Sequence, residues 1–183
     1  ACPRRRSRPR GLWRPLQARL GAEGRPRLDA PLLWPDVSRL VIDCNRPPES
    51  PQSIPSESDG IVIQGNLGLE SWERELRRRV LFEPYHQAIE RLLDRRGPAT
   101  EALLSIHSFC PVLGGVRRPW PIGVCYGEDR RLAKAWLDAL RSRVKGMVGD
   151  NEPYAIEEGI DYTLPRHGDG RGLPHAMLEI RQD

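Results

Sequence analysis

The sequence predicts an α/β fold in which helices flank a mixed, mostly parallel sheet. Strand-like and helix-like segments alternate along the chain. The strand-like segments are apolar at nearly every residue, which is typical of strands that are covered on both faces. The 183 residues are 38% hydrophobic and 30% charged, so the chain can bury one core. In open sheets of this class, ligands bind beyond the carboxyl ends of the strands, so we expect the functional side chains there.

Short apolar segments bounded by turn residues predict the strands. In chain order they are residues 37–44, 102–107, 122–126 and 177–180. The first segment is rich in β-branched residues and ends just before Pro47 and Pro48, which cannot donate hydrogen bonds to a neighbouring strand. Residues 47–68 are rich in Pro, Ser, Gly and Asn and predict a long loop, a feature that is often functional.

Two segments have the apolar spacing of helices. In residues 69–96, apolar side chains recur at Trp72, Leu76 and Val80, and Pro84 either kinks this helix or begins a second one. Residues 129–144 predict an amphipathic helix. Its apolar face consists of Leu132, Trp136, Leu140 and Val144. The chain after this helix is predicted to be mainly loop until the last strand.

The positive charge is concentrated at one end of the chain. The net charge is +4, but residues 1–30 contain nine Arg against Glu23 and Asp29, so the other 153 residues are net acidic at −3. A groove that follows phosphates needs basic residues spread over a folded face, so we do not expect nucleic acid as a partner. We therefore divide the chain into a basic Arg/Pro-rich segment, 1–30, and a domain, 31–183.

The basic segment has two interpretations, which the sequence leaves open. Its composition offers little apolar surface to bury, and such segments usually stay disordered. Alternatively, residues 1–30 come from a shifted reading frame in GC-rich DNA, where Arg, Pro, Gly and Ala codons dominate.

Composition excludes several classes of protein. No stretch approaches the roughly 20 apolar residues that cross a bilayer, so we expect no membrane-spanning segment. The basic start is not followed by the apolar core of a secretory signal. Four cysteines without a CxxC pair do not suggest a disulfide framework. We therefore expect a cytoplasmic protein.

Three places combine polar side chains with predicted strands. His107 ends an apolar strand and could be a metal ligand, a base or a hydrogen-bonded core residue. Glu179 lies inside the last strand, where an ionised carboxylate is costly unless it is paired, beside a metal or on a solvated face. Asn45 and Arg46 follow the first predicted strand. The Arg46 guanidinium has the fork geometry that fits a carboxylate, although a surface ion pair would also account for it.

Five stretches of the chain resemble one known family when they are taken together. They read SRLVIDCNRPPESPQSIP, PYHQAIERLLDRR, LLSIHSFCPVLGGVRRPWPIGVCY, VGDNEPYAI and GLPHAMLEIRQD. In this order they resemble the N-formylglutamate amidohydrolase family, over about residues 37–183. The resemblance implies a fold similar to that of zinc carboxypeptidases. It also implies metal-dependent hydrolysis of the amide bond of a small acidic N-acyl amino acid, with N-formyl-L-glutamate giving formate and L-glutamate.

The resemblance gives each candidate residue a role. His107, in SIHSF, is implied as a zinc ligand. Asn45 and Arg46, in DCNRPP, are implied to bind the α-carboxylate of the substrate. Glu179, in LEIRQD, is implied as the carboxylate that activates water.

The chain also differs from the family pattern. Members normally have an N-terminal strand that ends in a His-containing metal motif of the type CDHASN, whereas the first histidine here is His86. We therefore expect the family's first strand and its terminal helix to be missing and the zinc ligand set to be incomplete, unless His167, His175 or Glu179 supplies ligands. A missing strand would leave a sheet edge exposed, and a homodimer could form through that edge.

Three hypotheses follow from these differences. The chain is a working zinc amidohydrolase, an inactive truncated family member, or a binding protein that uses its basic N-terminal arm.

Overall fold

The structure is a computed structural model that describes residues 30–183. The expectations for the basic segment, including its disorder, its reading frame and its use as a binding arm, concern residues that lie almost entirely outside this range. They stay predictions.

The elements are defined as follows. The strands are β1 (Glu57–Ser58), β2 (Ile61–Val62), β3 (Leu103–Phe109), β4 (Val112–Leu113), β5 (Val116–Arg117), β6 (Ile122–Cys125), β7 (Val148–Asp150) and β8 (His175–Arg181). The α-helices are α1 (Ser71–Arg77), α2 (Glu83–Arg96), α3 (Arg131–Arg141) and α4 (Thr163–His167).

A four-stranded sheet with the order β3-β8-β6-β7 forms the centre of the fold. β3 is parallel to β8 and β6 is parallel to β7, whereas β8 and β6 are antiparallel. The predicted α/β class, with a mixed, mostly parallel sheet flanked by helices, is confirmed. Within residues 30–183, β3 forms one edge of this sheet, because its only strand neighbour there is β8.

One face of the sheet packs against α3. Val124, Val148 and Leu178 from the sheet form a buried cluster with Ala133 and Leu137 of the helix. Ala133 is completely buried, and its small side chain lets the helix approach the strands closely. The amphipathic pattern that predicted this helix therefore reflects burial against the sheet.

A loop covers the opposite face of the sheet, where two glycines leave room for its backbone. Gly123 of β6 and Gly149 of β7 are register partners. A Cβ atom on Gly123 would collide with the carbonyl oxygen of Glu152, and one on Gly149 would lie 2.6 Å from the same oxygen. Glu152 and Pro153, in the segment 151–154, therefore lie directly on the sheet at a position that only glycine permits.

The strand predicted over residues 37–44 is wrong. These residues form turns, in which the Val41 N–H donates to the Ser38 carbonyl at 2.9 Å. The apolar side chains that suggested a strand are buried differently, since Ile42 packs in a cluster with Phe82, next to α2. Ile42 and Cys44 are buried, whereas Leu40 is exposed, and turns replace the predicted strand.

The helical prediction for residues 69–96 is confirmed in outline. α1 and α2 are joined by a π-helical stretch, Arg78–Phe82, and Pro84 lies in the first turn of α2. The helix is continuous from α1 to α2, so Pro84 removes one N–H from its interior, and the wider π-helical turn lies directly before it, where the hydrogen-bond pattern changes. The short strands β1, β2, β4, β5 and β7 and the helix α4 were not predicted. No helix within residues 30–183 is long and apolar enough to cross a membrane.

We expect Gly123→Ala to destabilise the fold by about 1–3 kcal/mol or more, because the new methyl group must displace the backbone at Glu152. Gly127→Ala is the matched control, since a Cβ there would meet only the Ile156 carbonyl oxygen at 3.5 Å, an ordinary contact. Urea unfolding of both variants measures the difference. Equal stability of the two would contradict the close packing of segment 151–154.

Candidate active site

The sheet brings His107 and Glu179 together. They are register partners in the parallel pair β3 and β8, so their side chains leave the same face of the sheet. Glu179 is 4% exposed and His107 is partly buried. On its other side, Glu179 is the register partner of Gly123, where the Glu152 backbone covers the sheet. The carboxyl group therefore lies between an imidazole and a covered glycine.

Burial changes the proton affinity of Glu179. It raises the pKa of this carboxyl to about 7, and Arg118 is the charge that most opposes the increase. The Oε2 atom is buried and has no hydrogen-bond partner in the described part of the chain. A carboxyl that exchanges its proton near neutral pH and has an unpartnered oxygen can act as a general base.

His107 is held as a neutral imidazole. Burial is the largest cause that lowers its pKa, and the carboxylates of Asp43 and Asp161 oppose the decrease. Its Nε2 atom lies 3.0 Å from the hydroxyl oxygen of Ser105, two residues earlier on the same face of β3. A neutral imidazole keeps one nitrogen lone pair, which is needed for metal binding or for accepting a proton.

Arg46 is anchored by a buried carboxylate. Its Nη1 atom donates to Oδ1 of Asp161 at 2.9 Å and to the backbone carbonyl of Asn45 at 3.1 Å. Its Nε atom is buried without a hydrogen-bond partner among residues 30–183. One edge of the guanidinium is therefore fixed, while a buried donor is left unpaired.

The Asn45 side chain is fully engaged by the protein. Its amide nitrogen donates to Asp161 Oδ1 at 2.8 Å, and its oxygen accepts the backbone N–H of Thr163 at 3.0 Å. Thr163 is the first residue of α4, so Asn45 fastens the loop that contains Arg46 to the start of this helix. In this geometry the amide positions Arg46.

Asp161 is the residue that joins these groups, and the sequence analysis missed it. It is 9% exposed, accepts hydrogen bonds from Asn45 and Arg46, and accepts the backbone N–H of Glu157 at 3.1 Å. It lies in a stretch without periodicity, more than a hundred residues from Asn45 and Arg46. No local pattern could have identified it.

The loop also depends on a pair of buried histidines. His86 Nδ1 lies 2.9 Å from His167 Nε2, and His86 Nε2 lies 2.9 Å from the Cys44 carbonyl oxygen. Because that carbonyl must accept, His86 donates from Nε2 and accepts from His167. Burial lowers the pKa of both imidazoles to about 4, so both are neutral near pH 7.

The other candidate zinc ligands are not brought to His107. His167 is bonded to His86, as described above. His175 is the register partner of Leu103, which lies four residues before His107 on β3. Its Nδ1 lies 2.8 Å from the Leu173 carbonyl oxygen. Neither imidazole is placed to bind the same metal ion as His107.

The predicted site residues do share one electrostatic environment. The charges of Arg39, Arg46 and Asp161 act on both His107 and Glu179. Arg39 is itself paired with Asp43 at 2.8 Å and is largely exposed. The structure thus brings His107, Glu179 and Arg46 to one region, with Asn45 behind Arg46.

The donor set does not complete a zinc site by itself. Within residues 30–183, no group of three or more His, Cys, Asp or Glu side chains is arranged to hold a metal ion. A catalytic zinc usually has three protein ligands and a water molecule. His107 with Glu179 falls short of that number, so a zinc would need ligands from elsewhere.

A buried carboxyl, an imidazole and an anchored arginine on a mixed α/β sheet are groups that a hydrolase can use. The family model described as N-formylglutamate amidohydrolase matches residues 5–183. The chain belongs to the N-formylglutamate amidohydrolase family, which supports an amidohydrolase type of enzyme and confirms the resemblance seen in the sequence.

A solved structure supports the fold. The chain is similar to the gene product Atu2144 from Agrobacterium tumefaciens, with 39% sequence identity and a TM-score of 0.72. The match covers 80% of this chain and 58% of that protein, so the chain spans little more than half the length of its structural relative. A search of curated proteins found no match.

The burial of Glu179 predicts a pH-dependent stability. Its folded-state pKa of about 7 lies above the ordinary 4.5, so its contribution to stability is complete below pH 4.5 and is lost as the pH rises through 7. The full difference is about 3 kcal/mol. We expect Glu179→Gln to be more stable than the wild type at pH 8 and nearly equal to it at pH 4.5.

Urea unfolding at both pH values measures this effect. Glu128→Gln, which changes an exposed carboxyl, is the control and should follow the wild type. A Glu179→Gln variant that is less stable than the wild type at pH 8 would show that the ionised carboxylate is well stabilised where it lies.

Proposed function

We propose that the chain hydrolyses the amide bond of an N-acyl amino acid, converting N-formyl-L-glutamate to formate and L-glutamate. The observation that supports this most directly is the register of β3 and β8, which places the buried, unpartnered Glu179 carboxyl beside His107 in the field of Arg46. Membership of the amidohydrolase family supports the same reaction class.

Glu179 supplies the proton transfers in this proposal. As a carboxylate it takes a proton from a water molecule while the water oxygen bonds to the acyl carbon. The carbon–nitrogen bond then breaks, and the protonated carboxyl returns the proton to the departing amine. A pKa of about 7 leaves comparable amounts of the basic and acidic forms at neutral pH, so the group can serve both steps.

Arg46 binds the α-carboxylate of the substrate in this proposal. Asp161 holds one edge of the guanidinium, and Asn45 holds the loop, so little side-chain freedom is lost on binding. The buried Nε atom, which has no partner in the described part of the chain, then gains an acceptor. Asn45 contributes by positioning Arg46, since its own amide is occupied.

We also keep zinc as a proposal, with His107 as one of its ligands. The reaction steps above are not routed through it, because the described residues do not complete a ligand set.

Kinetics with purified protein test the two roles. We expect Arg46→Ala to raise KM for N-formyl-L-glutamate by roughly 30-fold or more, because truncating one partner of a buried charge pair costs about 2–5 kcal/mol. We expect Glu179→Gln to lower kcat by about 100- to 10,000-fold with a smaller change in KM. Arg91→Gln, an exposed change on α2, is the control.

Formate release from N-formyl-L-glutamate is the measurement. No release by the wild-type chain would reject the proposed function and favour the inactive alternative. Equal effects of both variants on kcat and KM would reject the separate roles of Arg46 and Glu179.

Elemental analysis after gel filtration tests the zinc proposal. Because His107 and Glu179 alone fall short of a zinc ligand set, we expect zinc to stay with the wild-type protein only if other groups complete the set, and then to be lost from His107→Ala. No zinc in the wild-type protein would reject the zinc proposal. Equal zinc content of the two proteins would remove His107 from the ligand set and leave the hydrolysis proposal intact.

A further inference from the structure

Arg118 lies at the end of the sheet where the site is formed. It follows the hairpin β4–β5, and its backbone carbonyl accepts a hydrogen bond from Nη1 of Arg181 at 2.9 Å. Arg181 is the register partner of Phe109. This pair lies two residues further along the strands than the pair Glu179 and His107, and on the same face of the sheet. The backbone of Arg118 is therefore tied to the strands that present the site.

The Arg118 side chain is held by aromatic rings. Its guanidinium carbon lies 5.6 Å from the centre of the buried Phe109 ring and 4.8 Å from the centre of the Tyr154 ring. Tyr154 ends the segment 151–154, in which Glu152 and Pro153 lie on Gly123, the register partner of Glu179. Contacts with ring faces fix the plane of the guanidinium and leave its N–H donors free.

These donors lack an acidic partner. No carboxylate within residues 30–183 forms an ion pair with Arg118, whereas Arg46 is paired with Asp161 and Arg39 with Asp43. Arg118 is nevertheless the charge that acts most strongly on Glu179. At His107 the leading charges are those of Asp43 and Arg39, so Arg118 acts mainly on Glu179.

We infer that Arg118 binds a second carboxylate of the substrate and thereby selects acidic over neutral N-acyl amino acids. The inference rests on the proposed hydrolysis, in which Arg46 already binds the α-carboxylate. A substrate such as N-formyl-L-glutamate carries two carboxylates, and Arg46 and Arg118 supply two guanidinium groups from separate segments around Glu179. The aromatic contacts give Arg118 a fixed orientation, which suits bidentate binding.

The test compares N-formyl-L-glutamate with N-formyl-L-glutamine, which has nearly the same shape and a neutral side chain. We expect the wild type to prefer the acidic substrate. We expect Arg118→Gln to raise KM for N-formyl-L-glutamate by about 10- to 100-fold, the range for a charge-assisted hydrogen bond, with little change in KM for N-formyl-L-glutamine. The variant also removes the charge that most opposes the raised pKa of Glu179, so any decrease in kcat near pH 7 should be the same for both substrates. Arg118→Lys should keep part of the preference.

Arg117→Gln is the matched control, because Arg117 is an exposed arginine at the neighbouring position. Circular dichroism and thermal unfolding show whether each variant is folded, and Arg118→Lys provides the readout if Arg118→Gln does not fold. An equal loss of kcat for the two substrates, without a change in the ratio of their KM values, would assign Arg118 to the chemical step and overturn the inference. Unchanged selectivity in both Arg118 variants would also overturn it.

Failure of the function and failure of the inference are distinguishable. A wild-type chain that releases formate from neither substrate rejects the proposed hydrolysis, and the inference with it. A wild-type chain that hydrolyses both substrates, with selectivity independent of Arg118, keeps the hydrolysis and rejects only the role of Arg118.

Discussion

The removal of the Glu179 carboxyl from water is the constraint on which the site depends. It results from sheet pairing, because the strand that contains Glu179 is central and has neighbours on both sides. It also results from the glycines at 123 and 149, which let the chain at Glu152 lie on the sheet. A carboxyl that is costly to ionise there reduces stability near neutral pH and gains basicity in exchange.

A second constraint acts on the loop that contains Arg46. A buried carboxylate, an amide and a helix start converge on it, through Asp161, Asn45 and Thr163. Such a network is strong only when all of its members are satisfied, because each unpaired member would be left buried. Four buried side-chain atoms of residues 30–183 have no hydrogen-bond partner: Arg46 Nε and Glu179 Oε2, which belong to the candidate site, and Thr100 Oγ1 and His175 Nε2, which do not.

Sequence reasoning succeeded where structure is decided locally. Apolar runs identified the strands that contain His107 and Glu179, and periodicity identified α3. It failed over residues 37–44, where a β-branched run forms turns. The backbone conformation of an apolar run depends on which other part of the chain packs against it, here the cluster that contains Phe82. Asp161 and Arg118 were missed for a similar reason. Their importance arises from contacts with residues far away in the sequence, which spacing does not reveal.

The hydrogen-bonded imidazoles of His86 and His167 have a consequence for behaviour in acid. Their N–H···N bond requires an unprotonated acceptor, and this acceptor belongs to the ring that also donates to the Cys44 carbonyl. Charging both rings sets two cations against each other next to the residue that precedes Asn45. Acidification should therefore release the turn at Cys44 before the central sheet separates, and affinity for anionic ligands should decline while most of the secondary structure persists.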